Sequence, residues 1–441
     1  MASTLIRNAN ILTMNDRFDV VDGAVSVRDG VIVSVGPEPA EPHETLVDAA
    51  SGFLLPGFVQ THLHLCQTLF RGYADDLTLM EWLRQRIWPM EAAHTPASLR
   101  AAASLACTEL LRSGTTSVLT METVHDTDAV FEAATESGIR ATIGKCMMDA
   151  ADDEVPARLR ERTDRSLDEG LALHRRWHNT ANGRIRAAFA PRFAIACSRG
   201  LLEAVGDLSA RERALVHTHA SEQREEVDIV RRISGKRNIE YLADVGLASP
   251  RLCAAHCVWV DDGEQELLAA ADIKVLHCPG SNLKLGSGIA PIPELLARGV
   301  CVSLGADGAA CNNHLDMFGE MRLAATLQAI RRCPGALPAR QALWMATRSG
   351  ARTLGLEREI GSIEPGKHAD LILIDRDGPH LTPGPDPYST IVYAGRPGDV
   401  RMAMVDGVIL VQDFVPTRVD PRAVAADARR EAHALAARAD L

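Results

Sequence analysis

An alternation running from about Gly57 to Gly355 is what most limits the folds open to this chain. Eight short β-rich runs succeed one another: "GFVQTHLH", "TTSVLTME", "RATIGKCMMD", "RAAFAPRF", "ALVHTHASE", "LCAAHCVW", "IKVLHCPGSN" and "VCVSLGADG". Between them lie stretches of helical texture such as "TPASLRAAASLACTELLRSG", "DAVFEAATESG", "REEVDIVRRISG" and "EQELLAAAD". Several of these end in glycine, which takes the left-handed backbone of a helix C-terminus at no steric cost. Strand followed by helix is the pattern of parallel βα units, and eight of them close into a (β/α)8 TIM barrel.

The flanks have a different texture. Residues 1–56 read as short strands with turn signals, "TLIRNANILTMND" and then "GAVSVRDGVIVSVG", with Asp29-Gly30 as a hairpin turn. Residues 358–441 return to it in "HADLILIDRDG" and "VRMAMVDGVILVQD" before an Ala-rich stretch, "PRAVAADARREAHALAARAD", that reads as a surface helix. The expectation is a small β-sandwich domain built from both chain ends, with a catalytic barrel at 57–357 inserted between them. A length of 441 residues suits one large barrel with such an attachment.

Charge and cysteine usage narrow the partners. A formal net charge of −11 disfavours nucleic acid and anionic membranes, which reward clustered Lys and Arg. It leaves room for a small neutral or cationic substrate. No apolar run approaches the ~18 residues of a membrane helix. The start, "MASTLIRNANILTMND", lacks an export signal, so a cytoplasmic location is expected. Ten scattered cysteines without a CxxC pair point to reduced thiols.

The histidines carry the chemistry. Alternate residues of an extended strand share a face, so His62 and His64 point one way at the end of the first run. His217 and His219 do the same in the fifth. His256, His277 and Asp307 close the sixth, seventh and eighth runs. Barrel active sites form at the carboxyl ends of the strands, so these residues converge on a candidate metal centre. Three imidazoles and a carboxylate suit one divalent ion, with Zn²⁺ the first expectation and Fe²⁺ compatible with the ligand types. Such an ion lowers the pKa of a water from about 15.7 to about 7. Glu222, three residues past His219, stands where a carboxylate can shuttle protons.

Taken together, these motifs resemble the amidohydrolase superfamily. The similarity runs from "LPGFVQTHLH" through "HTHASE", "AHCVW", "HCPGSNLKLGSGIAP" and "LGADGAACNNHLDMFGEMRLAA" to "GSIEPGKHADLILID". The branch is that of guanine deaminase, the S-adenosylhomocysteine, methylthioadenosine and 5′-deoxyadenosine deaminases, and the s-triazine hydrolases. The resemblance implies that His62, His64, His219 and Asp307 hold one metal. It makes Glu222 the general acid/base, His256 the residue that orients water, and leaves His217 outside the ligand set. It implies hydrolytic attack on an electron-poor ring carbon and departure of the exocyclic amine as ammonia. Relatives with two metals use a lysine at the end of strand four, where this chain reads "RAAFAPRFAIACS"; Lys145 lies on strand three instead. The resemblance further implies a homo-oligomer.

Substrate features point in two directions. Glu91, in "WPME", matches the glutamate that meets ribose hydroxyls in adenosine-type deaminases, and Trp82 and Trp88 are candidate pocket walls. Gln67 and Arg192-Phe193 match positions that contact and stack on the purine in guanine deaminase. Arg192 stands where the adenosine-type pattern has histidine. Asn312 is a further candidate, and "GADGAACNN" leans toward the adenosine and triazine enzymes. The expected function is deamination of an adenine nucleoside altered at the 5′ position. A guanine or pterin deaminase and an s-triazine hydrolase are the alternatives. A silent assembly protein is a more distant one, since every ligand position is intact.

Overall fold

The computed structural model describes residues 3–150 and 154–441. Five strands come first: β1 (Ser3–Leu12), β2 (Val20–Arg28), β3 (Val31–Gly36), β4 (Thr45–Asp48) and β5 (Phe53–Pro56). The βα region then contributes β6 (Phe58–His64), β7 (Thr115–Met121), β8 (Arg140–Met147), β9 (Ile185–Pro191) and β10 (Val216–Ala220). It continues with β11 (Leu252–His256), β12 (Lys274–His277), β13 (Val302–Leu304) and β14 (Asp307–Gly308). The chain closes with β15 (Leu371–Ile374), β16 (Val400–Val405), β17 (Val408–Gln412) and β18 (Val415–Pro416).

The second group forms a parallel sheet in the order β13-β12-β11-β10-β9-β8-β7-β6-β14. The eighth β-rich run is split in two: β13 pairs with β12, and β14 pairs with β6. Only Gly305 and Ala306 separate them, so one piece of chain serves both edges and the sheet curls back on itself as in a TIM barrel. Every residue of β7 and β8 is buried, as expected of strands covered on both faces. Val59, Leu119, Ala188, Cys253, Ala255 and Leu276 pack with Ala351, Leu354, Leu356 and Ile360 in one cluster beneath the site.

Both chain ends enter a second sheet, β18-β17-β16-β15-β5-β1-β2-β3, with β4 added beside β1. The sandwich expected from the texture is hydrogen-bonded here as one continuous sheet. Its period-2 pattern feeds two cores. Leu54, Leu371, Leu373, Met402 and Met404 join Ile6, Val25 and Val27 in a core of their own. Their neighbours Phe53, Leu55, Ile372, Ile374 and Val405 join the core shared with the barrel. At the β2–β3 turn Asp29 and Gly30 both have positive φ, 50° and 83°, the twist a two-residue hairpin demands.

Two devices join the sheets. Gly57 links β5 to β6, and a Cβ there would lie 2.1 Å from Thr116 Oγ1, so no side chain fits. Arg140, at the start of β8, donates from Nε and Nη2 to the two oxygens of Asp370 at 2.8 and 3.0 Å and from Nη2 to Asp406 at 2.6 Å. Burial pushes the Asp406 carboxyl up, but hydrogen bonding from His368 and the Arg140 charge outweigh it and hold it at about 2.

The terminal helix Pro421–Arg438 starts at an Asp420 cap, whose side chain accepts from Arg422 N. It is more than a surface helix. Ala428 and Leu435 are buried in a cluster with Leu69, Phe70, Trp82 and Trp88, behind the wall of the site. No helix among the described residues is long and apolar enough to cross a membrane.

Candidate active site

At the carboxyl ends of β6 and β10 and at the start of β14 the expected side chains meet. His62 Nε2 and His64 Nε2 lie 3.3 and 3.2 Å from the same Asp307 oxygen. His219 Nε2 lies 3.3 Å from His64 Nε2. Each ring is aimed by its other nitrogen. His64 Nδ1 donates to Met121 O at 2.7 Å, and His219 Nδ1 donates to Arg192 O at 2.6 Å. His62 Nδ1 lies 2.6 Å from His217 Nε2, so His217 stands behind His62 and outside the cluster.

This arrangement has too many acceptors. A carbonyl oxygen only accepts, so His64 and His219 each commit their Nδ1 proton to the backbone. Their Nε2 lone pairs then face each other and the Asp307 carboxylate. His62 Nε2 is buried with no hydrogen-bond partner. Burial holds His62 down at about 4 and His219 well below its ordinary value, so both are neutral, the ligating form. A cation placed between them would satisfy all four groups. A tetrahedral ion with bonds of about 2.0–2.1 Å spaces its donors about 3.3–3.4 Å apart, close to the 3.3, 3.2 and 3.3 Å between His62 and Asp307, His64 and Asp307, and His64 and His219. The residues fit one divalent metal ion.

Two further groups adjoin the cluster. His256 Nδ1 is 2.9 Å from Asn282 Oδ1, and its Nε2 lies 3.6 Å from Glu222 and 3.9 Å from Asp307. Burial raises the Glu222 carboxyl, and Ser287 Oγ donates to it at 3.3 Å. Ser281 Oγ donates to Asp307 Oδ2 at 2.7 Å. Ser221, His256 and Asp307 all have positive φ, 55°, 72° and 63°. For residues with a Cβ such conformations cost about 1–3 kcal/mol and mark functional sites. Here they turn side chains inward at the strand ends.

A cavity opens onto the cluster. His64, His219, Glu222 and Asp307 form its floor, with Gln67 and Arg192 beside them. Leu79, Trp82, Leu83, Phe193 and Leu285 form an apolar wall. Leu79, Trp82 and Leu83 share a face because they sit at i, i+3 and i+4. Trp88 is buried behind that wall. Glu91 is buried as well and is bonded to Arg192 and Gln67. Asn312 is held by the Ala306 carbonyl at 2.7 Å and Glu320 at 2.8 Å. His277 is buried with neither nitrogen partnered, away from the cluster. Lys145 pairs with Glu161 at 2.6 Å.

Reading the sequence alone passes over three buried carboxyls that hold the loops carrying these groups. Glu122 accepts from Leu65 N and Cys66 N, just after His64. Glu226 accepts from Ser221 N and Glu222 N. Glu320 accepts from Gly280 N, after β12, and from Asn312. Burial pushes them up to about 7, 7 and 8. The trace of Glu122 and Glu320 in the sequence is an acidic residue inside otherwise apolar texture, whereas Glu226 is hidden among the charges of "SEQREEVD".

A model described as the amidohydrolase family matches residues 53–410. The chain belongs to the amidohydrolase family. This amidohydrolase is 41% identical over 440 residues to a 5′-deoxyadenosine deaminase of Methanosarcina mazei, with 99% of each chain covered. It is 39% identical over 438 residues to a 5-methylthioadenosine/S-adenosylhomocysteine deaminase of Pelotomaculum thermopropionicum, covering 98% of each. A zinc-bound adenosine deaminase of Xanthomonas campestris superposes with a TM-score of 0.93 at 34% identity over 99% of both chains. This amidohydrolase is therefore a hydrolase of carbon–nitrogen bonds.

Proposed function

We propose that the enzyme deaminates an adenine nucleoside altered at its 5′ position: 5′-deoxyadenosine, methylthioadenosine or S-adenosylhomocysteine. The observation that carries this is the coincidence of full-length similarity to such deaminases with a complete inward-facing set of His62, His64, His219, Asp307, Glu222 and His256. In this reading residues 57–357 are the catalytic unit, and residues 1–56 and 358–441 form a small β domain packed against it.

His62, His64, His219 and Asp307 hold the ion, with zinc the expected metal. When bound, it supplies Lewis acidity that makes a water's proton labile near neutral pH. Asp307 takes that proton. His256, tied through Nδ1 to Asn282, orients the water toward the ring carbon. Glu222 protonates the adjacent ring nitrogen, and its burial-raised pKa keeps a proton available for that step. Asp307 passes its proton to the exocyclic amine, which leaves as ammonia, and the proton of the newly added hydroxyl returns to Glu222. Phe193 and the Leu79–Trp82–Leu83 face pack against the heterocycle and the apolar part of the 5′ group, a methyl or a thioether. Gln67 and Arg192 supply polar contacts.

A specific observation favours a second reading, a guanine or related aminopurine deaminase. Gln67, Arg192 and Phe193 all line the cavity, while Glu91 lies behind them. Ammonia release from a panel, with chloride release read for the chloro-triazine, separates the readings. The panel holds 5′-deoxyadenosine, methylthioadenosine, S-adenosylhomocysteine, adenosine, guanine, 8-oxoguanine, a pterin, and an amino- and a chloro-triazine. The 5′-altered nucleosides are expected to show the highest kcat/KM. A ranking led by guanine, the pterin or a triazine overturns the proposal.

A further inference from the structure

Glu91 is committed before any substrate arrives. Its Oε2 accepts from Arg192 Nη1 at 2.6 Å, and its Oε1 accepts from Arg192 Nη2 at 3.2 Å and Gln67 Nε2 at 3.0 Å. Only 4% of the residue is exposed. Arg192 and Gln67 line the cavity and Glu91 does not. A parallel two-bond fork of this kind is among the strongest side-chain pairings, and it fixes the plane of both groups. Arg192 is also tied through its backbone. Its carbonyl accepts from His219 Nδ1 at 2.6 Å and from His219 N at 3.0 Å. The residue that bounds the cavity with its guanidinium thus orients a metal-cluster histidine with its peptide group.

We propose that Glu91, Arg192 and Gln67 form one buried, charge-neutral recognition unit in which Arg192 and Gln67 read the substrate and Glu91 is a positioning residue that never touches it. This rests on the nucleoside reading above. The consequence concerns polarity. A free glutamate presents an acceptor to the two ribose hydroxyls. A guanidinium neutralised from behind presents donors and no net charge. It selects a neutral substrate with an acceptor at that point, such as a hydroxyl or ring oxygen or a ring nitrogen. Gln67 adds an acceptor, since its Oε1 is buried without a partner. Loss of Glu91 therefore acts through Arg192, and removing either member has the same effect as removing both.

The test is a double-mutant cycle on the metal-loaded enzyme with Glu91→Gln, Arg192→Gln and the pair. It is read on 5′-deoxyadenosine and on the analogue lacking the 2′- and 3′-hydroxyls. Each single variant should raise KM for 5′-deoxyadenosine about tenfold or more, with metal content unchanged because the His219 tie is to a backbone carbonyl. The pair should be no worse than the poorer single variant, because the two side chains act together. The preference for the hydroxylated substrate should be the same in Glu91→Gln and Arg192→Gln to within threefold. The pair also removes both buried charges, so it remains informative where a single variant folds poorly. Arg192→Lys keeps the charge but not the fork and should likewise raise KM. Loss of hydroxyl preference in Glu91→Gln alone, additive effects, or an unchanged KM in Arg192→Lys overturns the unit. Failure of the unaltered enzyme to turn over any adenine nucleoside overturns the underlying reading instead.

Discussion

His217 offers the sharpest check on the metal centre, because it belongs to the cluster's support and not to its donors. Its Nε2 lies 2.6 Å from His62 Nδ1, and both rings are fully buried. As acceptor it keeps the His62 proton on Nδ1 and leaves the Nε2 lone pair facing Asp307. Leucine in its place has similar bulk and no acceptor. Without metal, His62 then moves its proton to Nε2, which can donate to Asp307 Oδ1 at 3.3 Å, so the empty site loses little. With metal, Nε2 must be bare, and a buried Nδ1–H is left unsatisfied at a cost of about 1–3 kcal/mol. That corresponds to roughly 5- to 150-fold in metal affinity, in line with the 10–100-fold typical of groups that orient ligands. His217→Leu should therefore bind Zn²⁺ about tenfold or more weakly in competition with a chromophoric chelator, with an unchanged circular dichroism spectrum. His217→Gln, whose amide oxygen can accept, should recover much of the loss. A folded His217→Leu protein within threefold of the original affinity would refute this account of how His62 is aimed.

Other outcomes follow from the same geometry. Glu222→Gln leaves the metal cluster intact, so metal content should stay at one ion per chain while kcat falls by about 10²-fold or more, the scale of a lost proton-transfer group; normal turnover excludes that role. Glu226→Gln can satisfy only one of the two backbone N–H groups at Ser221 and Glu222. It should lower kcat at unchanged metal content and shift the pH profile. A fall in thermal stability alone would mark Glu226 as a helix cap. For Asp406, a folded pKa of about 2 against an ordinary 3.8 corresponds to about 2 kcal/mol. The folded value is depressed, so this contribution is present above pH about 4 and lost as pH falls toward 2. Denaturation of Asp406→Asn should show a deficit at pH 5–6 that shrinks below pH 4; a deficit constant with pH contradicts it. His368 has the opposite sign, since Asp406 raises it and its share is lost as pH rises through that raised value.

Much of the site was legible because it depends on local periodicity. The pairs His62/His64 and His217/His219 share a face by strand geometry, and each lies at the carboxyl end of its strand. What periodicity does not reveal is which member of a pair faces the cluster. His217 and His219 are equivalent in "VHTHA", yet one backs His62 and the other faces His64. The split of the eighth run was equally hidden, since a two-residue break between β13 and β14 leaves no mark in "VCVSLGADG". Glu91 shows the same limit at the pocket. Its place in "WPME" gave no sign that an arginine about a hundred residues later would occupy it.

Residue order alone determined the class of fold, the two flanking β segments and the candidate donors, because strand alternation, turns and caps are properties of neighbouring residues. Tertiary structure alone decided which nitrogen of each ring faces the centre, which carboxyl is spent on an arginine and which buried acids hold the loops. Those outcomes depend on who meets whom across the rim of the sheet. Desolvation and pairing energies there are set by contacts between segments far apart in the chain.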